Sequence, residues 1–203
     1  MITEELNMAD ITKLRENLEA GGFTTSYFET VQEAADYLDT QIDGVSVGFG
    51  GSVTVQEMGL FDRLASHNNA FWHWANGTVA EATAADVFIT SANGVAETGE
   101  IINIDGTGNR VASTLYGHKK VYFIIGVNKI APDYDAALWR ARNIASPKNA
   151  QRLNRKTPCA VKADKCYNCK SPERICNGLV VLWQKMKGIK EMEVVIINQE
   201  LGY

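Results

Sequence analysis

A chain of 203 residues that is 45% hydrophobic and 22% charged has ordinary globular usage and is long enough to bury a core without disulfide or metal staples. Acidic side chains outnumber basic ones 24 to 20, for a net charge of −4, and no basic run occurs, which argues against a nucleic-acid surface. No segment approaches the ~20 consecutive apolar residues of a membrane helix, so neither nucleic acid nor membrane is expected as a partner.

Along the chain, Ile2, Leu6, Ile11, Leu14 and Leu18 recur at helical spacing and Gly21-Gly22 supplies a stop, so the first 20 residues read as a helix. A short strand follows at 23–28. Thr30 and Glu33 have capping-box spacing, opening a helix that carries Ala34, Ala35 and Leu38. Residues 45–49 read as a buried strand ending at Gly50-Gly51. Ser52 then caps a helix carrying Val53, Val55, Met58, Leu60, Phe61 and Leu64. Residues 71–74 read as a short strand with His73 facing opposite Trp72 and Trp74, and this run could wall a pocket near the glycines. Strands are expected near 86–90, 100–104 and 121–126, with a helix or turn at 110–116 ended by Gly117. A helix at 132–145 would turn Asp133, Asp135, Arg140 and Arg142 to solvent, and Ser146-Pro147 would cap and open the next. Trp139 and Trp183 read as core or interface. Residues 156–178 are irregular, and 179–183 and 193–198 have strand or mixed character. This alternation predicts an α/β fold, a largely parallel sheet flanked by helices, in a single domain over 1–203 with an appended cysteine-bearing segment at 156–178.

Two stretches carry candidate chemistry. Gly50, Gly51, Ser52 and Thr54 follow a strand and precede a helix, a context in which main-chain amides and hydroxyls receive a phosphate or carboxylate. No Lys follows as a Walker loop requires, and the dinucleotide glycine order is absent; a plain strand-to-helix turn is the competing reading. Residues 85–129 then pack Asn93, Glu97, Thr98, Gly99, Asp105, Gly106, Asn109 and Arg110 between two apolar runs, with Asn128 and Lys129 just beyond. Glu97 and Asp105 are candidate catalytic carboxylates. Arg110 could clamp a carboxylate or phosphate with paired hydrogen bonds, and Lys129 would add positive charge. The competing reading is hairpin scaffolding built from Asn-Gly and Asp-Gly turns.

In order along the chain, Gly50 to Thr54, Ala92 to Gly99, Asp105 to Ala112 and Gly126 to Ile130 resemble the LUD-domain family, the lactate-utilisation group that includes LutC and YkgG. The resemblance spans roughly residues 8 to 200. It implies a fold like the glucosamine-phosphate isomerase, ribose-phosphate isomerase and CoA-transferase group (NagB/RpiA/CoA transferase-like). By that analogy residues 50–54 form the anion loop and Glu97 and Asp105 are the reactive carboxylates. It further implies a role in oxidising lactate to pyruvate beside an iron–sulfur partner protein. This chain lacks a ferredoxin-type run, so it resembles the LutC-like member and not the electron-transfer subunit. An isomerase or acyl/CoA-transferase-like enzyme acting on a sugar phosphate or acyl-CoA is the alternative.

The opening MITEELNMAD is acidic and lacks a signal peptide's charged-then-apolar order, so the expected location is cytoplasmic, where thiols stay reduced. All four cysteines, Cys159, Cys166, Cys169 and Cys176, fall within 18 residues in the order C-x6-C-x2-C-x6-C. The pattern matches neither a zinc ribbon nor a ferredoxin run. It leaves open a zinc or iron–sulfur site, a redox dithiol at Cys166 and Cys169, or reduced cysteines that pack. Expected partners are a small anionic ligand and an iron–sulfur protein; assembly into a homo-oligomer is left open.

Overall fold

The computed structural model describes residues 9–162 and 164–203. The expected helical start at Ile2 and Leu6 lies outside the described residues. The elements are α1 (Ile11–Ala20), β1 (Thr24–Phe28), α2 (Val31–Gln41), β2 (Ser46–Phe49), α3 (Val53–Glu57), α4 (Leu60–Ala65), β3 (Asn69–Trp72), α5 (Val79–Ala84), β4 (Val87–Thr90), β5 (Gly94–Ala96), β6 (Ile101–Asp105), α6 (Asn109–Ser113), β7 (Lys120–Gly126), β8 (Ile130–Ala131), α7 (Tyr134–Arg140), α8 (Ser146–Arg152), α9 (Pro158–Lys162), β9 (Gly178–Leu182) and β10 (Glu191–Ile197).

Six strands form a wholly parallel sheet in the order β1-β10-β7-β4-β2-β3, so the expected α/β architecture holds. β7 and β10 are interior strands of it, and Val121 to Ile125 and Val194 to Ile197 are almost wholly enclosed, which is why both read as unbroken apolar runs. Side chains alternate between two cores. Tyr122, Ile124 and Val195 face Leu38, Leu60 and Leu64 of the helices on one side; Val121, Phe123 and Ile125 face Leu14 and Leu18 of α1 on the other. Lys120 and Glu193 pair at 2.9 Å near the sheet's start, where Tyr37 and Ser26 hydroxyls also donate to Glu193.

A second, four-stranded sheet, β8-β5-β6-β9, was not expected. β5 has three residues and β8 two, too short for any periodicity to register. It packs Val95, Ile101 and Leu182 onto the second core and Ile102 against Ala137 and Ala141.

Other expectations shift for local reasons. The helix opened by Ser52 breaks at Gly59, whose φ of 61° is left-handed. The strand placed at 71–74 occupies Asn69–Trp72; beyond its end alternation no longer applies, and Trp74 stacks on Trp72 with centroids 5.2 Å apart. The helix at 132–145 begins at Tyr134, because Asp133 is the cap. It then widens into a π-helical turn at Ala141–Ala145 and runs straight into α8. Ser146 is therefore no N-cap: its amide and hydroxyl both return to the Ala141 carbonyl. Pro147, lacking an N–H, sits beside that widened turn, which relieves the ordinary ladder. Arg140 is buried rather than solvated, and Trp139 and Trp183 are exposed rather than core. Among the described residues no helix is long and apolar enough to cross a membrane.

Close packing of α5 on β2 depends on Gly48, where an added Cβ would lie 2.0 Å from the Ala82 carbonyl oxygen. Gly48→Ala is expected to lose about 1–3 kcal/mol in urea denaturation. Gly178→Ala, with nothing within 4 Å, should change stability by less than about 0.5 kcal/mol.

Candidate functional site

Parallel strands deliver their following loops to one edge of a sheet, the usual place for a ligand. The ends of β2, β4 and β6 and the turn after β7 open there onto a cavity of about 490 Å³. Its near wall is Gly51, Ser52, Val53, Thr54, Ser91, Ala92, Asn93, Asp105, Gly106, Asn109, Arg110 and Lys129. The far wall comes from α8 and the cysteine segment: Asn149, Arg152, Arg155, Glu173, Arg174 and Ile175. His73 and Trp74 close one side. Gly51 is a required glycine, since a Cβ there would press on the Trp74 ring at 3.1 Å.

Arg110 is the hub of the near wall. Its Nε donates to Asp105 Oδ2 at 3.1 Å, Nη1 to the Ser91 carbonyl and Asn103 Oδ1, and Nη2 to Asn93 Oδ1 and the Ile104 carbonyl. Burial pulls the guanidinium below its ordinary pKa while Asp105 opposes the shift. Asp105 Oδ1 meanwhile accepts the Thr107 and Gly108 amides at 3.1 and 2.7 Å. Asn93 Oδ1 also accepts the Ile104 amide. Arg110 thus organises protein groups and has no pair of donors left to clamp a ligand.

Lys129 is 4% exposed, and its Nζ donates to the Ala92 carbonyl and the Tyr203 main-chain oxygen at 3.1 and 2.9 Å. Burial, reinforced by the charges of Arg140 and Arg110 and partly countered by Glu57, lowers its pKa to about 7. Arg140 donates to the Asn128 and Asn93 carbonyls, both at 2.6 Å, and burial lowers it to about 10. Burial also lowers His73.

The remaining expected residues are split. Gly50 lies behind the wall, where an added Cβ would meet Thr90 and Arg110 at 2.9 and 3.1 Å. Thr54 lines the cavity but its hydroxyl contacts Leu201 and Ser91. Asn128 holds the 201–202 main chain instead of facing the cavity. Glu97, Thr98 and Gly99 are not among the cavity residues, because β5 carries the chain away from Asn93 toward α1. There Glu97 accepts the Asp10 amide at 2.9 Å and pairs with Lys13 at 3.2 Å, Asn17 donates to its carbonyl, Thr98 bonds Glu100 and Gly99 abuts Asn17. Glu97 and Asp105 therefore do not form a carboxylate pair. Arg152, Arg155, Glu173 and Arg174 were missed. Arg152 stacks over Trp74 at 4.9 Å, and Glu173 accepts the Lys156 amide. Among the described residues no three His, Cys, Asp or Glu side chains stand ready-arranged around a metal position. The four cysteines, all free and half-buried, nevertheless line one small neighbouring cavity.

Over residues 11–197 the sequence matches the LUD domain. The fold is similar to the crystal structure of a DUF162 family protein from Deinococcus radiodurans, with a TM-score of 0.54 and 12% identity over 92% of this chain and 94% of that one. No curated protein matches.

Two measurements check this geometry. Arg110→Met should lose about 3–5 kcal/mol of stability by urea denaturation, since it strands Asp105 and four other buried acceptors. Lys129, lowered from its ordinary 10.5 to about 7, leaves the unfolded chain holding the extra proton between those pH values. Stability should therefore rise from about pH 7 toward pH 10, and Lys129→Met should flatten that rise.

Proposed function

The chain belongs to the LUD domain family, and on that footing we propose that it is a LutC-like protein of lactate utilisation. It works beside iron–sulfur partner proteins in the oxidation of lactate to pyruvate, and it binds a small anionic ligand in the cavity at the strand ends. The observation that carries the ligand reading is the charge of that cavity. In a protein of net charge −4, Lys129, Arg152, Arg155 and Arg174 converge on it with Arg110, against Asp105 and Glu173. Asp105 is already engaged by Arg110 and two amides, so the far-wall arginines supply the uncompensated charge.

The near wall supplies orientation. Ser52 accepts the Val55 amide at 3.3 Å, which leaves its hydroxyl proton to donate to an incoming oxygen. Protonated Lys129 has two of its three N–H groups on carbonyls and a third for the ligand. α3 has only five residues, so its dipole adds little; charge and hydroxyls do the binding. Asp105 spends both oxygens on Arg110 and the 107–108 amides and serves to hold Arg110.

A second reading is favoured by size. About 490 Å³ falls within the range of pockets for drug-sized ligands, and a three-carbon acid fills a small part of it. An isomerase or acyl/CoA-transferase-like activity on a sugar phosphate or acyl-CoA suits that volume, with Glu173 as the cavity carboxylate that has one oxygen uncommitted to the Lys156 amide.

Thermal-shift titration with lactate, pyruvate, inorganic phosphate, a sugar phosphate and CoA tests both. A ligand at ~100 times its Kd should add about 2.7 kcal/mol. The gain should shrink in Ser52→Ala and Arg152→Ala. Stabilisation by lactate or pyruvate supports the first reading, and by the larger phosphates alone the second. A gain untouched by either substitution places the ligand elsewhere. Because an anion prefers protonated Lys129, affinity should weaken as pH rises through about 7 in the wild type and not in Lys129→Met.

A further inference from the structure

Among the described residues the segment joining α9 to β9 has neither strand nor helix, yet together with α9 it gathers sulfur. Cys159, Cys166, Cys169 and Cys176 all line one small cavity. Loops this long without regular structure need something to hold them, and most side chains of this one are exposed or half-buried.

The donors around the sulfurs are those a thiolate ligand accepts. Asn168 takes a left-handed φ of 46° between Cys166 and Cys169, and its amide points at Cys166 Sγ at 3.3 Å. Arg174 shares its Nε–H between the Cys176 carbonyl at 2.7 Å and Cys176 Sγ at 3.1 Å, and donates from Nη1 to the Cys169 carbonyl at 2.8 Å. Thr157 Oγ1 lies 3.3 Å from Cys159 Sγ, and Arg142 approaches Cys166 Sγ at 3.9 Å. Arginines at two of the four sulfurs offset the negative charge that four deprotonated thiols would bring together.

The other readings of the cysteines explain less. A dithiol at Cys166 and Cys169 leaves Cys159 and Cys176 without a purpose on the same cavity. Cysteines that merely pack are among the most deeply buried residues, whereas these four are half-buried.

We propose that Cys159, Cys166, Cys169 and Cys176 ligate a thiophilic metal centre, a zinc ion or an iron–sulfur cluster, that fixes the far wall of the anion cavity. Each thiol gives its proton to solvent as its sulfur ligates. Among the described residues the sulfurs are not already arranged around one metal position, so ligation requires the four side chains to turn inward from the cavity wall. Ser146, Arg174 and Ile175 line both cavities, so the centre sets where Arg174 stands. The metal claim is independent of which anion, if any, the larger cavity binds.

The test is metal analysis of full-length protein purified anaerobically, with acid-labile sulfide assay, visible absorption and titration of accessible thiols. Stoichiometric zinc with a featureless visible spectrum supports a zinc centre; cobalt substitution should then produce thiolate-to-cobalt charge-transfer bands. Stoichiometric iron and sulfide, with a visible band that bleaches on reduction, supports a cluster. Cys169→Ser and Cys176→Ser should each lose the metal. Should they misfold, stripping metal from the wild type with a thiol reagent should release it in step with modification of the four cysteines. Protein that is metal-free, takes up no zinc, cobalt or iron and sulfide, and titrates four free thiols while folded overturns the proposal. So does metal retained after those cysteines are modified.

Discussion

The guanidinium of Arg110 is the joint on which the sheet edge depends. Two strands end beside it, and each would otherwise leave carbonyls and side-chain oxygens facing a cavity. Arg110 satisfies oxygens from Ser91 and Asn93 after β4 and from Asn103, Ile104 and Asp105 in β6, so the main sheet and the small sheet are tied at one atom group. A planar cation with five fixed donors can do this where a lysine could not. Asp105 makes the buried charge tolerable, and its other oxygen pins the Gly108 turn that places Arg110 itself. The joint is closed on both sides: the loop positions the arginine, and the arginine fixes the loop.

That closure reassigns roles that the sequence suggests. Read as a string, Asp105 and Arg110 look like a reactive carboxylate and a ligand clamp. In the fold each uses most of its hydrogen-bonding capacity on the other and on neighbouring protein groups, and the cavity-lining groups with donors to spare are Ser52, Lys129 and the arginines of the far wall. Competition for hydrogen bonds, not residue type, separates a scaffold from a binding group.

The parts legible in the sequence are those with one dominant local cause. Central strands announce themselves because both faces are buried, and the Thr30 cap because its reciprocal bonds are local. Gly51, Ser52, Asn93 and Lys129 share an edge because they follow parallel strands, and Asp105 and Asn109 join them at the end of β6 in the second sheet. What the sequence hid depends on distant partners. Glu97 stands four residues from Asn93, yet an antiparallel hairpin too short to signal itself carries it to α1. Arg140 carries helical spacing like any solvated charge, but its helix packs on β5 and turns it to the carbonyls of Asn93 and Asn128. Arg152, Arg155, Glu173 and Arg174 reach the cavity only because the helix continues past Pro147 through a π-helical turn and the cysteine segment folds back.

Such a gathering of cations works against folding. Lys129 is desolvated and pushed by Arg140 and Arg110, with Glu57 opposing, and Arg140 sits on carbonyls with no carboxylate partner among the described residues. Apolar residues of similar volume at such positions are often neutral or stabilising, so cohesion does not account for these charges. The anion proposed for the strand ends would: it would lower the energy of every cation facing it and raise the charged fraction of Lys129, so that filling the cavity would offset the cost of assembling the wall. The same logic extends to the neighbouring sulfurs. Arg174 belongs to both walls, and negative charge on the cysteine side would hold its Nε while leaving Nη2 for the anion side. The two cavities are then coupled through one guanidinium, as the two sheets are through Arg110.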